Sequence, residues 1–450
     1  MGIFGGLMGV SMWTGNTIHT ALQNARTKRE IREIQKHAAN ANFQNRSVAV
    51  LPNVNKQQLL LISGEPNDND IFDYSSQSAT PAIDYIWGDN KIPEGIVVSG
   101  GQSDARIRAL MPFVRKSQIE DIPLIALHIG NRDLETMIAA NSRDHEFISQ
   151  GQLYYDVFRG MPVEDMSTLL YATIPGNSAN PNAEALLHAL LEVVLRKHGA
   201  VTFQNISAFP LVDLKDTLDE MSKSGEITSS EYREINHYYM AGSSELHTVR
   251  VFLNKLNRQS ENIYGRPTQN VCNIKKMLNF KGVIAISVGN VNNDLIFSLI
   301  INHMMILQQR YSFSILLDDI PISRFPKISD LLRSRTYAIC HSDFVASLYG
   351  GEIRGEDLFS EITGNVSTIV LLRHSSGTSC QKWSEHLGKY HKIKIRYNIS
   401  QNKAFMNSSD SRGISVDETD EPRVRAETIG KLPDAMACIN NKEGTLFAVI

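Results

Sequence analysis

The sequence predicts an α/β protein with a mostly parallel sheet, an all-α domain inserted into it and a helix near its N-terminus. Three observations carry this. Short apolar runs such as GIVVS (95–99) and GVIAIS (282–287) alternate with helix-like stretches, the order that builds strand–helix–strand units. A block over residues 180–279 is helical almost throughout and interrupts that alternation. Apolar strands then resume.

Residues 14–42 suit one helix, with good helix formers and no proline. Two short strands are expected over 47–62, around the turn-prone Pro52-Asn53, followed by a polar loop over 64–82. Residues 95–100 read as a strand, 104–116 as a helix and 123–127 as a strand. Residues 183–197 (AEALLHALLEVVLRK) place apolar groups at helical spacing. Helices over 214–222, 229–240 and 244–257 follow, separated by Ser/Gly turns, and Ser229-Ser230-Glu231-Tyr232 marks a helix start. After the block come a strand at 282–288, a long apolar helix at 293–310, a strand at 313–317, a helix at 328–333, and strands at 336–339 and 367–372. Residues 404–424 are polar and are expected to form a loop, in part disordered. The expected organisation is an apolar tip and helix (1–45), a first core segment (46–179), the all-α insertion (180–279), a second core segment (280–403), and a polar loop with a C-terminal strand region (404–450).

Composition narrows the function classes. A chain of 450 residues with 42% hydrophobic and 21% charged content is an ordinary globular protein of two or three domains. The net charge of -3 supplies no global pull toward nucleic acid or acidic membranes. Cys272, Cys340, Cys380 and Cys438 lie far apart, with no metal-type spacing, and read as free buried thiols of a reducing compartment. No metal site is expected. Trp13, Trp87 and Trp383 form no aromatic–basic stripe for single-stranded nucleic acid. The N-terminal MGIFGGLMGVSMW is apolar but too short to span a bilayer, for which about 20 residues are needed. No basic residue precedes it, as a secretory signal would require. Gly6 stands where a myristoylation site would need Ser or Thr. Arg26, Lys28, Arg29, Arg32 and Lys36 follow on the predicted helix, so residues 1–40 are expected to make peripheral contact with a membrane surface or a partner.

Residues 95–110 (GIVVSGGQSDARIRAL) have the layout of a phosphate loop after a buried strand. A working loop reads G-x-x-x-x-G-K-[ST]; its backbone amides face the phosphates, its lysine reaches them and its hydroxyl binds magnesium. Aligned on Gly100, the second glycine falls on Ala105, the lysine on Arg106 and the hydroxyl on Ile107. Isoleucine cannot hold magnesium. Asp104 adds a like charge, repelling a phosphate by roughly 4 kcal/mol at 4 Å and an effective dielectric of 20. The plain alternative is a strand–turn–helix with Ser103 or Asp104 as the N-cap. Downstream, YSFSILLDDI (311–320) is an apolar strand ending in two acids. In nucleotide motors the first acid supports magnesium and the second activates water. Asp318 and Asp319 take these places, with aspartate where glutamate is usual. The plain alternative is two solvated acids.

The stretch ILLDDIPISRFPKISDLLRSRTYAICHSDFVASLYGG (315–351) resembles the corresponding region of type IV secretion coupling proteins of the TraG/TraD class. GNVSTIVLLR (364–373), LGKY (387–390) and IGKLPDAMACI (429–439) resemble the late motifs of that family in the same order. The resemblance covers roughly residues 85–450. It implies a RecA-like, P-loop-type core with an all-α domain between the two nucleotide motifs, in hexameric, membrane-anchored ATPases that deliver DNA or protein to a secretion channel. Carried over by position, Gly100, Gly101, Ser103 and Arg106 fall on the nucleotide-binding loop, and Asp318 and Asp319 on the acidic pair. Arg335 falls on the arginine before the next strand, and His341 near a polar sensor position usually held by glutamine. The loop lysine and hydroxyl, the sensor amide and the paired N-terminal membrane helices of the family are missing. The resemblance therefore implies a coupling-protein-like component of a secretion or conjugation system, with a degenerate ATPase fold acting in substrate recruitment or complex assembly. The alternative is an active hexameric motor with ATP and Mg as cofactors. The expected partners are secretion-system proteins, a secreted substrate, further copies of this or a related chain, and DNA through the complex. The expected place is the bacterial cytoplasm, peripheral to the inner membrane.

Overall fold

The computed structural model describes residues 28–46, 48–51, 95–149, 153–175, 180–260, 271–288, 294–324, 328–333, 336–350, 354–404, 407–434, 436–441 and 444–450. Helix α1 (Lys28–Arg46) and strand β1 (Val48–Leu51) open the fold. Strand β2 (Gly95–Ser99), helix α2 (Ser103–Ile119), strand β3 (Leu124–His128), helix α3 (Arg132–Asn141) and strands β4 (His145–Ile148) and β5 (Tyr154–Tyr155) follow. Helices α4 (Val163–Thr173), α5 (Pro181–His198), α6 (Phe203–Ala208), α7 (Leu214–Ser224), α8 (Ser229–Gly242) and α9 (Leu246–Ser260) form the helical block. The chain returns through β6 (Val271–Cys272), α10 (Ile274–Asn279), β7 (Val283–Ser287), α11 (Asp294–Leu307), β8 (Ser314–Asp318), α12 (Ile328–Leu332), β9 (Tyr337–His341), α13 (Phe344–Ser347), α14 (Gly355–Asn365), β10 (Thr368–Leu371) and α15 (Gly377–His386). A long hairpin of β11 (Lys389–Ala404) and β12 (Asn407–Pro422), the short α16 (Ala426–Gly430), and β13 (Met436–Asn441) with β14 (Gly444–Val449) complete it.

Ten strands form one sheet in the order β1-β14-β13-β10-β2-β9-β8-β3-β7-β4. The run from β10 to β4 is parallel throughout; β13 joins it antiparallel to β10 and to β14. Every residue of β2, β3 and β8 is buried. That is why these strands read as unbroken apolar runs: helices cover both faces, so neither set of alternating side chains meets water. Ile96, Val98, Leu124 and Ala126 face α2 and α3, whereas Val97, Ile125 and Leu127 face α11 and the helical block.

Helix α11 lies between the sheet and the helical block, and the buried side chains from Leu295 to Leu307 surround its axis. One continuous apolar core thus runs from the sheet into the block. Two buried polar contacts fix the register: Tyr155 Oη meets His303 Nδ1 at 2.5 Å, and Asn302 Nδ2 donates to Thr173 Oγ1 at 3.2 Å. Inside the block, Thr228 and Glu231 close a capping box at the start of α8, where the sequence marks a helix start.

Several elements differ from expectation. Residues 404–424 are no loop: β12 pairs antiparallel with β11 from Lys389↔Pro422 to Ala404↔Asn407. A two-stranded ribbon satisfies its backbone through cross-strand bonds and needs no buried stripe, so a polar sequence does not argue against it. Its base packs on α1 through Ile34, Ala38 and Ile393. There the Asn42 amide accepts from the Ile393 N–H at 2.7 Å and donates to the Ile393 carbonyl at 2.8 Å, as a neighbouring strand would. Helices begin at Val163, before the expected block, and α3 and β4 are additional elements. The N-cap of α2 is Gln102, not Ser103 or Asp104, and it makes no side-chain cap bond. The apolar tip, residues 14–27, the second strand expected within 47–62, the 64–82 loop, Trp13 and Trp87 lie outside the described residues. Among the described residues no helix is long and apolar enough to cross a membrane.

Candidate functional site

The C-terminal ends of β2, β9, β8 and β3 lie side by side, because parallel strands end on one edge. This brings Gly100, Gly101, Ser103, Arg106, Asp318, Asp319 and His341 to a single place. Arg335 lies outside the described residues.

Between β2 and α2 the chain turns in three residues, Gly100-Gly101-Gln102. The turn needs glycine. Gly100 has φ +92°, and a Cβ there would lie 2.6 Å from Cε1 of the His374 ring; Gly101 has φ +66° and would meet Leu372 at 2.8 Å. The N–H groups of both glycines already donate, Gly100 to the His341 carbonyl at 3.0 Å and Gly101 to the Arg373 carbonyl at 2.8 Å. They belong to the sheet edge and do not form an open cradle.

Arg106 closes the turn. Its side chain is 6% exposed; Nη1 donates to the Gly101 carbonyl at 2.9 Å and Nη2 to Asp319 Oδ2 at 2.7 Å. Asp319 holds φ +52°, a left-handed conformation rare outside glycine. Three bonds maintain it: its N–H donates to the Cys340 carbonyl, Oδ1 accepts from the Ser342 N–H at 2.7 Å, and Oδ2 accepts from Arg106. Strained residues of this kind cluster where the surroundings over-determine them.

Asp318, one residue earlier, has a different environment. It is 1% exposed; Oδ2 accepts from Asn131 Nδ2 at 2.7 Å, and Oδ1 has no hydrogen-bond partner. Burial, reinforced by the Asp319 carboxylate, raises its pKa above the usual carboxylate range. Asn131 holds the corner together: it caps α3 by accepting from Leu134 N–H, takes its own N–H to His128 Nδ1, and reaches Ser103 Oγ at 3.3 Å. His341 Nδ1 accepts the Asp343 N–H at 2.9 Å, so its 3.8 Å approach to Asp319 Oδ1 joins two acceptors and is no ion pair. Burial lowers its pKa and keeps it neutral. His374 donates from Nδ1 to the Leu372 carbonyl at 2.7 Å, so its Nε2 accepts the Ser99 hydroxyl at 2.8 Å. That oxygen also accepts the Phe344 N–H. Ser99 and His374 are both buried and clamp three strand ends.

These residues do not fit magnesium nucleotide. The hydroxyl position is Ile107, buried in the core beneath the turn. The one cation of the loop is paired, and the two glycine amides point into the sheet. Asn131, Ser99 and His374 belong to no motif legible in the sequence. Their shared signal is position, since each follows or ends an apolar run and so lies at the same sheet edge.

No protein-family model matches the chain, and no curated protein is similar to it. Solved structures are similar in fold. The unbound monoclinic form of the bacterial conjugative coupling protein TrwBΔN70 aligns with TM-score 0.54 and 14% identity, over 80% of this chain and 86% of that one. The plasmid coupling protein TrwB in complex with ADP and Mg2+ aligns with TM-score 0.54 and 12% identity, over 80% of this chain and 85% of that one. This chain therefore shares the fold of these coupling-protein structures, an α/β core built on a mostly parallel sheet.

Proposed function

We propose that this chain is a coupling-protein-like component of a type IV secretion or conjugation system, one in which the nucleotide fold no longer binds nucleotide and serves substrate recruitment or complex assembly. The shared fold supports the first half. The second rests on Arg106, whose guanidinium lies in the turn and bonds both Gly101 and Asp319. A phosphate entering there would have to break that pair and strip two glycine amides from sheet carbonyls. One new hydrogen bond returns only about 1 kcal/mol. TrwB is described in complex with ADP and Mg2+, and the motor reading takes its support from that likeness.

Calorimetry of the full chain with magnesium ATP separates the two readings. We expect a Kd weaker than millimolar and no turnover. A micromolar Kd, or hydrolysis abolished by Asp318→Ala, would establish the motor instead. On the assembly reading the partners are secretion-system proteins, a secreted substrate and other copies of the chain, with DNA engaged through the complex. Residues 1–40 would hold the chain at the cytoplasmic face of the inner membrane.

A further inference from the structure

Helix α9 carries no acidic residue, the only one of the long helices α5, α7, α8 and α9 in the block to lack one. Val249, Phe252, Leu253 and Leu256 are buried in the core, and His247, Arg250, Val251, Asn254, Lys255 and Arg258 are exposed. At 3.6 residues per turn the six exposed positions fall within a sector of about 140°. Three cations therefore line one face over about 12 Å, with Val251 between them. None of Arg250, Lys255 and Arg258 makes an ion pair or hydrogen bond among the described residues. Some exposed cations elsewhere meet acids, Arg196 with Glu192 and Glu231, Arg310 with Asp165, Arg333 with Glu361, and others such as Arg132 and Arg354 stand singly among the described residues; α9 gathers three on one face. Five acids lie on elements that pack against α9: Glu184 and Glu192 of α5 are engaged by Thr168 and Arg196, and Glu245, on the turn Ser243–Glu245, accepts from Asn180. Asp294 is paired with Arg324, and Asp213 is on the turn Leu211–Asp213, which also exposes Val212. Val251 is 52% and Val212 63% exposed.

We infer that the outer face of α9 docks an acidic, aliphatic segment of a partner protein. Charge complementarity selects an anionic partner. Two kinds of anion meet that demand, and the apolar groups discriminate between them. A valine among cations matches an aliphatic side chain on an amphipathic segment. A single-stranded nucleic acid is held by aromatic platforms, and this face has none. The inference rests on the assembly reading above, but nucleotide calorimetry does not touch α9, so either can fail alone.

The probe is a labelled 16-residue amphipathic peptide of Glu, Asp and Leu, titrated into the full-length protein by fluorescence anisotropy. Controls are a scrambled peptide of the same composition and a 20-nucleotide single-stranded DNA. The expected result is saturable binding of the amphipathic peptide, at least tenfold tighter than either control. The triple charge reversal R250E/K255E/R258E should weaken it by about 100-fold, and V251D alone by about tenfold. Circular dichroism and thermal melting of the variants should match the parent, since all four positions are exposed. Absence of binding, equal binding of the scrambled peptide, tighter binding of DNA, or indifference to the reversal would each overturn the inference.

Discussion

Two regions of this molecule use arginine in opposite ways. At the sheet edge Arg106 is buried, and its guanidinium is divided between the Gly101 carbonyl and Asp319. On α9, Arg250 and Arg258 stand exposed with no carboxylate against them. A buried charge must be paired, because desolvation otherwise costs several kcal/mol; an exposed one keeps its hydration and stays available. In the region that resembles a catalytic site the cation is therefore already bonded to the protein's own groups, and the region that resembles plain helix surface carries cations with no acid partner among the described residues. Resemblance to a motif locates where chemistry could have been. The partners of each charged group show whether it is still open.

The largest expected effect comes from the turn itself. Gly100→Ala would place a methyl 2.6 Å from the His374 ring in a backbone conformation that disfavours any side chain. Denaturant unfolding should show a loss of roughly 3 kcal/mol or more, or no soluble protein. A neutral result would mean that the turn opens and that the glycine amides are available after all.

Next is the Arg106–Asp319 pair. Asp319→Ala leaves a guanidinium buried without its carboxylate and should cost about 3 kcal/mol. Replacing both, as Arg106→Met with Asp319→Ala, should recover part of that loss, because the stranded charge is gone. If the double variant is as unstable as the sum of the singles, the pair is not a closed unit and the contrast with α9 weakens.

A third test uses pH. Burial holds His303, against Tyr155, at a pKa of about 3, below its ordinary value of 6.5. The unfolded chain therefore binds a proton that the folded chain refuses between those values. Stability from this group is complete above pH 6.5 and is lost as pH falls toward 3, at up to about 1.4 kcal/mol per pH unit. His303→Gln should remove that slope while Tyr155→Phe leaves the histidine buried and the slope present. His341 and His374, lowered by burial, act in the same direction, whereas Asp318, raised by burial, opposes them.

The smallest effect concerns the open region. Arg250→Glu should change unfolding stability by less than about 0.5 kcal/mol, as expected for a solvated side chain with no partner. A larger loss would show that α9 charges support the fold, and the difference between the two arginine regions would disappear.

The sequence by itself determined the central architecture. The apolar runs at β2, β3, β7, β8 and β9 are continuous because both faces of those strands are buried, so pattern and environment are the same information. It also placed Gly100, Asp318 and Asp319 at strand ends and Arg106 in the first turn of the helix that follows β2, hence on one edge. It could not determine β12, whose backbone is satisfied by β11 and whose polar residues carry no strand periodicity. Nor could it reveal the contact between Arg106 and Asp319, 213 positions apart, because nothing local in either segment depends on the other. Only the parallel order of β2, β9 and β8 brings them within 2.7 Å, and that proximity turns a cation near a loop into half of a buried pair.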